Sequence, residues 1–388
     1  MSNIEARRPT APRLRSLLSL LILAAAALLA GPVPHAAAAT GEADAYYIGR
    51  DGGLWSYRYA DTTGTWTTAT RQGPAALAPP GARVAAVRVP GHRPAVYVVA
   101  TNGALYEYCG DNPTSAPIAL TGPANAQPGG RITATWSGSQ LALVTSTWTG
   151  PAAAPTAVAS RLGDACLSMS VDWRQLPAPA AYPPSSEAAV VLVSGRPGIF
   201  TVDDTGAVTV GWTSPTTGGL FTYIIAPTGS AKPGAGIAVT PGTTASTFTV
   251  FFAGRDGRLN RATIGAGAGP IGLPQPNTTA PTGSVPDGAT LSAAKNAAGT
   301  AVGYVATDGT ITLAHLSTTG LWQSTQPIST SGFSTPGSSV AISDIDGYPA
   351  CGTNGPLPVH FGPNRGPSPD PWVTAGPNVT TGANMTFV

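Results

Sequence analysis

The chain has 388 residues, of which 42 % are hydrophobic and only 10 % carry a charged side chain. Disordered proteins are rich in charge and poor in apolar residues, so this composition argues against disorder for most of the chain. The formal net charge is +2, and no basic stripe follows the N-terminal leader, which makes nucleic acid a poor partner. The 48 glycines and 39 prolines suit many short strands joined by turns.

Residues 1–39 have the three parts of an export signal. A basic segment with Arg7, Arg8, Arg13 and Arg15 precedes an apolar run at 17–29 and four alanines at 36–39. The alternative is a membrane anchor, but the run is shorter than the ~20 residues that span a bilayer. We expect cleavage near Ala39, secretion to the extracellular space, no membrane span after cleavage, and one domain at 40–388.

Three cysteines follow the signal: Cys109, Cys166 and Cys351. An odd number in a secreted protein favours one disulfide and one free thiol. We predict a bond between Cys109 and Cys166, which the repeat described below places in adjacent units. Three buried free thiols are the alternative.

One pattern recurs along the chain: a β-rich run, Asp or Asn, Gly, and a second β-rich run. The best copies are at 46–55, 96–106, 251–259 and 303–311, and weaker copies are at 204–208 and 353–357. Asp-Gly and Asn-Gly between such runs predict a hairpin with a type I′ turn, in which both central residues have positive φ. Each copy is therefore predicted to be a pair of antiparallel strands.

The glycines of these turns stand at 52, 103, 206, 257, 309 and 355. The spacing is about 50 residues, except for one doubled gap that predicts a degenerate copy near residue 154. There the runs 141–147 and 157–162 flank a loop rich in Pro and Ala. Seven units of this length predict an all-β, seven-bladed β-propeller.

A third run precedes each hairpin, at 83–89, 132–136, 188–193, 236–240 and 340–343, and a fourth surrounds Trp66, Trp173, Trp322 or Trp372. Four antiparallel strands per unit is the number found in propeller blades. The mature chain begins with the second strand of its first unit, at Ala45, and residues 384–388 resemble a lone first strand. Pairing of these two ends would close the ring and remove an open sheet edge.

The sequence lacks the usual signatures of catalysis or metal binding. His92, His315 and His360 have no zinc-ligand spacing, and no nucleophile elbow or phosphate loop occurs. Asp344 and Asp346 hint at a calcium loop, but a plain turn suits two carboxylates better. We expect no cofactor, no metal and no catalytic residue.

Aromatic residues cluster in the first two units, and one more stands in the sixth. Aromatic faces can stack on the C–H faces of sugars, while polar side chains bind the hydroxyl groups. The alternative is that these rings pack between blades. The sugar-binding candidates are Trp55, Tyr57, Trp66, Tyr106, Glu107 and Trp322.

The repeat unit resembles the bacterial seven-bladed propeller lectins and is similar, more distantly, to tachylectin-type and fucose-binding propellers. Residues 49–55, 101–106 and 254–259 carry this resemblance, which covers nearly the whole mature chain. It implies shallow sugar sites between adjacent blades. The aromatic residue after Leu is present at Trp55 and Tyr106 but becomes Asn260, Thr312 and Pro358 in later units, so only a few sites are expected.

The leading hypothesis is a secreted, non-catalytic propeller that binds a glycan or a cell-surface polysaccharide. The first alternative is an extracellular protein-interaction or envelope scaffold. The second is a propeller-fold glycoside hydrolase built from loop carboxylates such as Asp164, Asp172, Asp203 and Asp204.

Overall fold

The computed structural model describes most of the predicted repeat region. The described residues are 42–60, 65–88, 94–109, 117–137, 140–146, 155–161, 173–174, 187–193, 196–213, 220–244, 246–345, 348–353, 358–360 and 385–387. All of them belong to one compact unit, Ala36–Val388. The predicted signal peptide lies outside the described residues, so its cleavage stays a prediction.

The described secondary structure consists of β-strands, which we group into sheets in chain order. Sheet 1 contains β1 (Glu42–Ile48), β2 (Leu54–Ala60), β3 (Thr65–Trp66), β4 (Thr70–Arg71) and β28 (Met385–Phe387), and sheet 2 contains β5 (Val84–Val87), β6 (Ala95–Val99), β7 (Leu105–Cys109) and β8 (Ile118–Ala119). Sheet 3 contains β9 (Ile132–Ser137), β10 (Gln140–Ser146), β11 (Pro155–Arg161) and β12 (Trp173–Arg174), and sheet 4 contains β13 (Ala188–Val193), β14 (Arg196–Val202), β15 (Val208–Thr213) and β16 (Leu220–Ala226). Sheet 5 contains β17 (Ile237–Pro241), β18 (Thr247–Ala253), β19 (Leu259–Gly265) and β20 (Gln275–Pro276), and sheet 6 contains β21 (Ser292–Asn296), β22 (Gly299–Val305), β23 (Ile311–Leu316) and β24 (Trp322–Pro327). Sheet 7 contains β25 (Val340–Ile345), β26 (Tyr348–Thr353) and β27 (Pro358–His360).

The fold is an all-β propeller whose blades are antiparallel sheets of four strands. Sheets 2 to 6 each have four strands, as predicted, whereas sheet 1 has five and sheet 7 has three among the described residues. The degenerate third hairpin is present, because β10 pairs with β11 from Gln140↔Arg161 to Ser146↔Pro155. The two chain ends also meet, since β1 pairs with β28 at Ala45↔Phe387.

The first strands of consecutive sheets lie side by side. Contacts run from β5 to β9, β13, β17, β21 and β25, and then through β28 of sheet 1 back to β5. These strands are rich in β-branched and small side chains, which pack closely on a pleated surface. The described part of the chain contains no helix long and apolar enough to cross a membrane.

The hydrophobic core is divided into clusters, each between two consecutive sheets. The cluster between sheets 5 and 6, for example, joins Phe251 and Leu259 to Val302 and Tyr304. Equivalent clusters lie at the other sheet boundaries. Each sheet packs against another sheet on both of its faces. Odd-numbered and even-numbered residues of a strand, which point to opposite faces, can therefore both be buried.

The hairpins are confirmed, but the predicted type I′ turn is wrong. At the first turn the N–H of Gly52 donates to the carbonyl of Gly49, and the N–H of Gly49 donates to the carbonyl of Gly53. Of the central residues, only Gly52 has a positive φ, at 70°. This is a three-residue loop, a type I turn followed by a left-handed glycine. The Asp51 carboxylate accepts the N–H of Gly53 at 3.0 Å and holds this turn.

A second loop packs on each of the five described hairpin glycines, about 25 residues later in the chain. In sheet 6, the N–H of Ser334 donates to the carbonyl of Gly309 at 2.9 Å. A side chain at Gly309 would overlap the carbonyl oxygen of Ser334. The glycine is therefore required both for its φ of 79° and for this close approach.

Candidate functional site

Each sheet presents a row of cross-strand neighbours to the next sheet in the ring. In sheet 5 this row is Phe251, Arg261 and Gln275, which lie directly opposite one another on β18, β19 and β20. The residue at the centre of the row changes from sheet to sheet. It is Ser56, Glu107, Val210, Arg261 and Leu313 in sheets 1, 2, 4, 5 and 6.

Arg261 brings a half-buried positive charge to the boundary between sheets 5 and 6. Its Nη2 donates to Oε1 of the exposed Gln275. Its Nε is buried and makes no hydrogen bond within the described part of the chain. Burial lowers the pKa of Arg261 below its usual value, but an arginine remains protonated near neutral pH.

Trp322 forms the facing wall of this boundary. It begins β24 of sheet 6, and its indole packs edge to face on Phe251, with ring centroids 6.1 Å apart. Its Nε1 is buried and, among the described residues, has no hydrogen-bond partner. The turn that leads into β24 brings Gly320 beside the Arg261 guanidinium, which joins the two walls. We call this boundary, with Arg261, Gln275 and Phe251 on one side and Trp322 on the other, the Arg261 cleft.

Polar contacts fix the two walls of the Arg261 cleft relative to each other. Asn277 of sheet 5 is fully buried, and its Nδ2 donates to Oγ1 of Thr325 in sheet 6 at 2.8 Å. Its Oδ1 accepts the N–H of Thr279 at 2.9 Å. These polar groups satisfy one another's hydrogen bonds, and the bond from Asn277 to Thr325 links the two sheets. The two sheets that carry Arg261 and Trp322 are therefore joined by a side-chain hydrogen bond as well as by packing.

Two buried N–H groups without acceptors are costly in a folded protein, at roughly 1–3 kcal/mol each. Each such group calls for an explanation, such as strain, a functional role, or an ordered water or ion that supplies the missing acceptor. The cleft offers donors from Arg261 and Trp322, an amide from Gln275 and the apolar face of an indole. This arrangement suits a small ligand that carries hydroxyl groups on an apolar ring.

The predicted candidates Trp55 and Tyr57 lie on the face of sheet 1 that meets sheet 7. Trp55 is half-buried, and its Nε1 donates to Oδ1 of Asp51 at 3.0 Å. Tyr57 is buried and stacks on Tyr47 at 5.8 Å. Trp66 lies in β3, but its side chain is outside the described residues. Ala341 of sheet 7 packs against these rings, but the side chains of β26 and β27 are outside the described residues, so a sugar site there stays a prediction.

The predicted candidates Tyr106 and Glu107 are neighbours on β7 and point to opposite faces of sheet 2. Tyr106 packs toward sheet 1. Glu107 points toward sheet 3 and is only 1 % exposed, and it accepts a hydrogen bond from Tyr97 Oη at 2.9 Å. Burial raises the pKa of Glu107, although the bond from Tyr97 lowers it in part. The structure thus separates two residues that the sequence placed in one cluster.

The strongest charge cluster lies where the first strands begin. Glu187, 4 % exposed, precedes β13 and pairs with Arg83, which precedes β5, and with Arg131, which precedes β9. Nη1 of Arg131 lies 2.6 Å from the Glu187 carboxylate. Burial and the positive charge of Arg83 lower the pKa of Arg131 to about 10. The cluster joins sheets 2, 3 and 4 around one buried carboxylate.

The carboxylates of the hydrolase alternative do not form a site among the described residues. Asp203 is buried in the β14–β15 turn, where its Oδ1 accepts the N–H groups of Thr205 and Ala207 at 2.9 Å. Asp204 is exposed in the same turn. Asp164 and Asp172 lie outside the described residues. Within the described ranges, no group of three His, Cys, Asp or Glu side chains could hold a metal ion.

Sequence reasoning missed Arg261 and Gln275. For the fifth unit, the predicted loss of a sugar site rests on Asn260, which takes the place of Trp55 and Tyr106. The residue after it, Arg261, did not enter that prediction. Comparison of that next position across the aligned hairpins would have shown an isolated arginine among Ser56, Glu107, Val210 and Leu313.

No protein-family profile matches the chain, and no curated protein matches it. Solved structures do match. The BP39L lectin from Burkholderia pseudomallei is 22 % identical with a TM-score of 0.68, covering 81 % of this chain and 89 % of the lectin. AofleA from Arthrobotrys oligospora is 12 % identical with a TM-score of 0.54, covering 74 % and 83 %. A mutant Aleuria aurantia lectin in complex with Fucalpha1-6GlcNAc is 13 % identical with a TM-score of 0.50, covering 78 % and 96 %. At these identities the likeness shows the fold.

Proposed function

We propose that this chain is a secreted carbohydrate-binding propeller that binds a glycan in the Arg261 cleft. The observation that carries the proposal is the pair of buried, unpartnered donors, Arg261 Nε and Trp322 Nε1, on facing walls of one sheet boundary. Because both nitrogens are buried, the two walls must part to admit a sugar ring, whose oxygen atoms would then satisfy both donors while an apolar C–H face lies on the indole. Gln275 can accept from, or donate to, a further hydroxyl group.

The similar structures support glycans as the ligand class. One of them is a lectin from Burkholderia pseudomallei, and another holds a fucose-containing disaccharide. Fucosylated oligosaccharides are therefore the first ligands to test. The proposal needs no metal and no nucleophile, since every group it invokes acts by hydrogen bonding or stacking.

We further propose that the seven sheets are seven blades of one closed ring. The cyclic contact of the first strands and the pairing of β1 with β28 support this count. We also propose that cleavage of the signal peptide during secretion removes residues 1–39, and that a disulfide bond joins Cys109 to Cys166. N-terminal sequencing of protein from the culture medium and non-reducing peptide mapping test these two steps.

The binding proposal is tested by a glycan array followed by isothermal titration calorimetry with the mature chain. Arg261→Ala should abolish or strongly weaken binding. Arg258→Ala is the matched control, because Arg258 lies three residues earlier and donates to Thr282 Oγ1 at 2.9 Å instead of lining the cleft. Absence of binding to any glycan at millimolar concentration, or equal affinity of the Arg261→Ala variant, would refute the proposal.

A further inference from the structure

Exposed apolar side chains are concentrated at the outer edge of sheets 4 and 5. The large hydrophobic residues exposed in the described part of the chain are Ile118, Phe221, Tyr223, Ile224, Ile271, Leu273 and Leu321. Five of these form what we call the outer patch: Phe221, Tyr223 and Ile224 on β16, and Ile271 and Leu273 in the loop before β20. Leu273 is 86 % exposed and Ile224 is 62 % exposed.

The two halves of the outer patch are in contact. Trp212 of sheet 4 donates from Nε1 to the carbonyl of Ala268 in sheet 5 at 2.9 Å, which holds the loop of sheet 5 against sheet 4. The ring of Tyr223 covers Gly269, where an added Cβ would lie 2.9 Å from Tyr223 Cδ1. The patch is therefore continuous on the sheet 5 side of β16, through Tyr223 and the loop at Gly269, while alternation along the strand places Ile224 on the side of sheet 3.

The β16 strand is also an open edge. It is the outermost strand of sheet 4 and, among the described strands, pairs only with β15. Proteins usually protect such edges with short strands, charged residues, proline or bulges. The other outer strands fit this rule, since β20 and β24 contain proline and β8 has two residues. By contrast, β16 has seven residues with no charge and no proline, and its one irregularity lies at the far end, beside Ile225.

We propose that the outer patch is a homodimer interface in which the β16 strands of two copies pair antiparallel. A two-fold axis makes an antiparallel edge complementary to itself, so the same patch serves both copies. The patch carries no charge, and a second copy of the patch offers it an equally uncharged and apolar surface.

The size of the patch fits this occupant. Since a large free side chain offers roughly 150–250 Å², the exposed parts of these five residues amount to on the order of 500 Å². Two such patches bury about 1,000 Å², near the lower limit for a specific interface. We therefore expect a reversible dimer of micromolar affinity and not a permanent one.

Sedimentation velocity of the mature chain over a range of concentrations tests this proposal. The unmodified chain should form a detectable dimer at protein concentrations up to about 100 µM. Measurements up to that concentration would detect even weak association. Phe221→Glu combined with Ile224→Glu should weaken the dimer at least tenfold. Leu321→Glu is the matched control, because Leu321 is about as exposed as Ile224 but lies in the turn before β24, outside the patch.

Circular dichroism melting of each variant shows whether it is folded, since the substituted side chains are exposed and should leave the core intact. A chain that stays monomeric at the highest concentration would overturn the proposal. So would a dimer that the double substitution leaves unchanged, or a monomer that instead takes up an extended peptide along β16.

Discussion

The ring of Phe251 and the indole of Trp322 pack edge to face across the boundary between sheets 5 and 6, with 6.1 Å between their centroids. This contact packs the indole at the boundary, where its buried N–H has no partner among the described residues. Because Phe251 is also the cross-strand neighbour of Arg261, one aromatic ring positions both walls of the proposed sugar site.

Trp322→Phe should separate packing from hydrogen bonding in this site. The smaller ring keeps an aromatic contact with Phe251 but removes the Nε1 donor. We expect glycan affinity to fall by about tenfold, the loss of one hydrogen bond of about 1.4 kcal/mol. Calorimetric titration measures this loss, and thermal melting should show a folded protein. Unchanged affinity would mean that the indole N–H does not contact the sugar.

Glu107→Gln should stabilise the protein at neutral pH. The carboxyl group is buried, its Oε2 has no partner among the described residues, and its pKa is raised. A raised pKa means that the folded state holds the proton more tightly, so stability falls as pH rises from the ordinary carboxyl pKa through the raised one. Glutamine keeps an acceptor for Tyr97 without this charge. We expect a gain of roughly 1–3 kcal/mol in the free energy of unfolding at neutral pH.

Denaturant unfolding of both forms over the acid-to-neutral range measures this effect. The advantage of Glu107→Gln should shrink toward acid pH, where the native carboxyl is already protonated. Tyr97→Phe in the unmodified chain provides the control, because it removes the hydrogen bond at 2.9 Å and should destabilise. A Glu107→Gln variant less stable than the parent at neutral pH would contradict the prediction.

Glu187→Ala should be strongly destabilising. The carboxylate stands between Arg83 and Arg131, and its removal leaves two partly buried guanidinium groups facing each other. Loss of one partner from a buried ionic cluster costs about 3–5 kcal/mol. Chemical denaturation measures the change, with Asp204→Ala as the control at an exposed carboxylate. A cost below that of the control would show that the cluster contributes nothing to stability.

Gly309→Ala and Gly332→Ala should differ although both glycines have a positive φ, 79° and 73°. At Gly332 the space for a side chain is open. The Gly332→Ala variant should therefore be destabilised only by the left-handed backbone conformation, by about 1–2 kcal/mol. At Gly309 the new Cβ also overlaps the carbonyl of Ser334, which should add roughly 1–3 kcal/mol. Equal melting temperatures of the two variants would show that the loop at Ser334 moves away from the new Cβ without loss of stability.

The local features of the fold could be predicted because they depend on neighbours in the chain. The hairpins around Asp51-Gly52 and Asp308-Gly309 were recognised from their turn residues. The turn type was wrong because the Asp51 side chain accepts the N–H of Gly53 and allows a type I turn with one left-handed glycine. Another local turn signal, Pro-Gly or Pro-Asp-Gly, stands just before the first strands of sheets 2, 3, 5, 6 and 7. Examples are Pro80-Gly81, Pro128-Gly129, Pro233-Gly234, Pro286-Asp287-Gly288 and Pro336-Gly337.

The candidate site was predicted only in part. Trp322 was named from the sequence, whereas Arg261 and Gln275 were not. Tyr106 and Glu107 are adjacent in sequence, but alternation along a strand sends them to different sheet boundaries. Their proximity along the chain therefore carried no information about a shared site.

By itself, the sequence determined the strand content, the period of about 50 residues and the pairing of the hairpins, since turn chemistry and alternation act over a few residues. Only the tertiary structure decided which strand faces meet. The Arg261 cleft exists because β19 of one sheet and β24 of the next are brought together by packing around the ring. Neither half of the site is recognisable without the other. Whether the N–H groups of an arginine or a tryptophan on one strand find hydrogen-bond acceptors depends on the residues that the neighbouring sheet places opposite them.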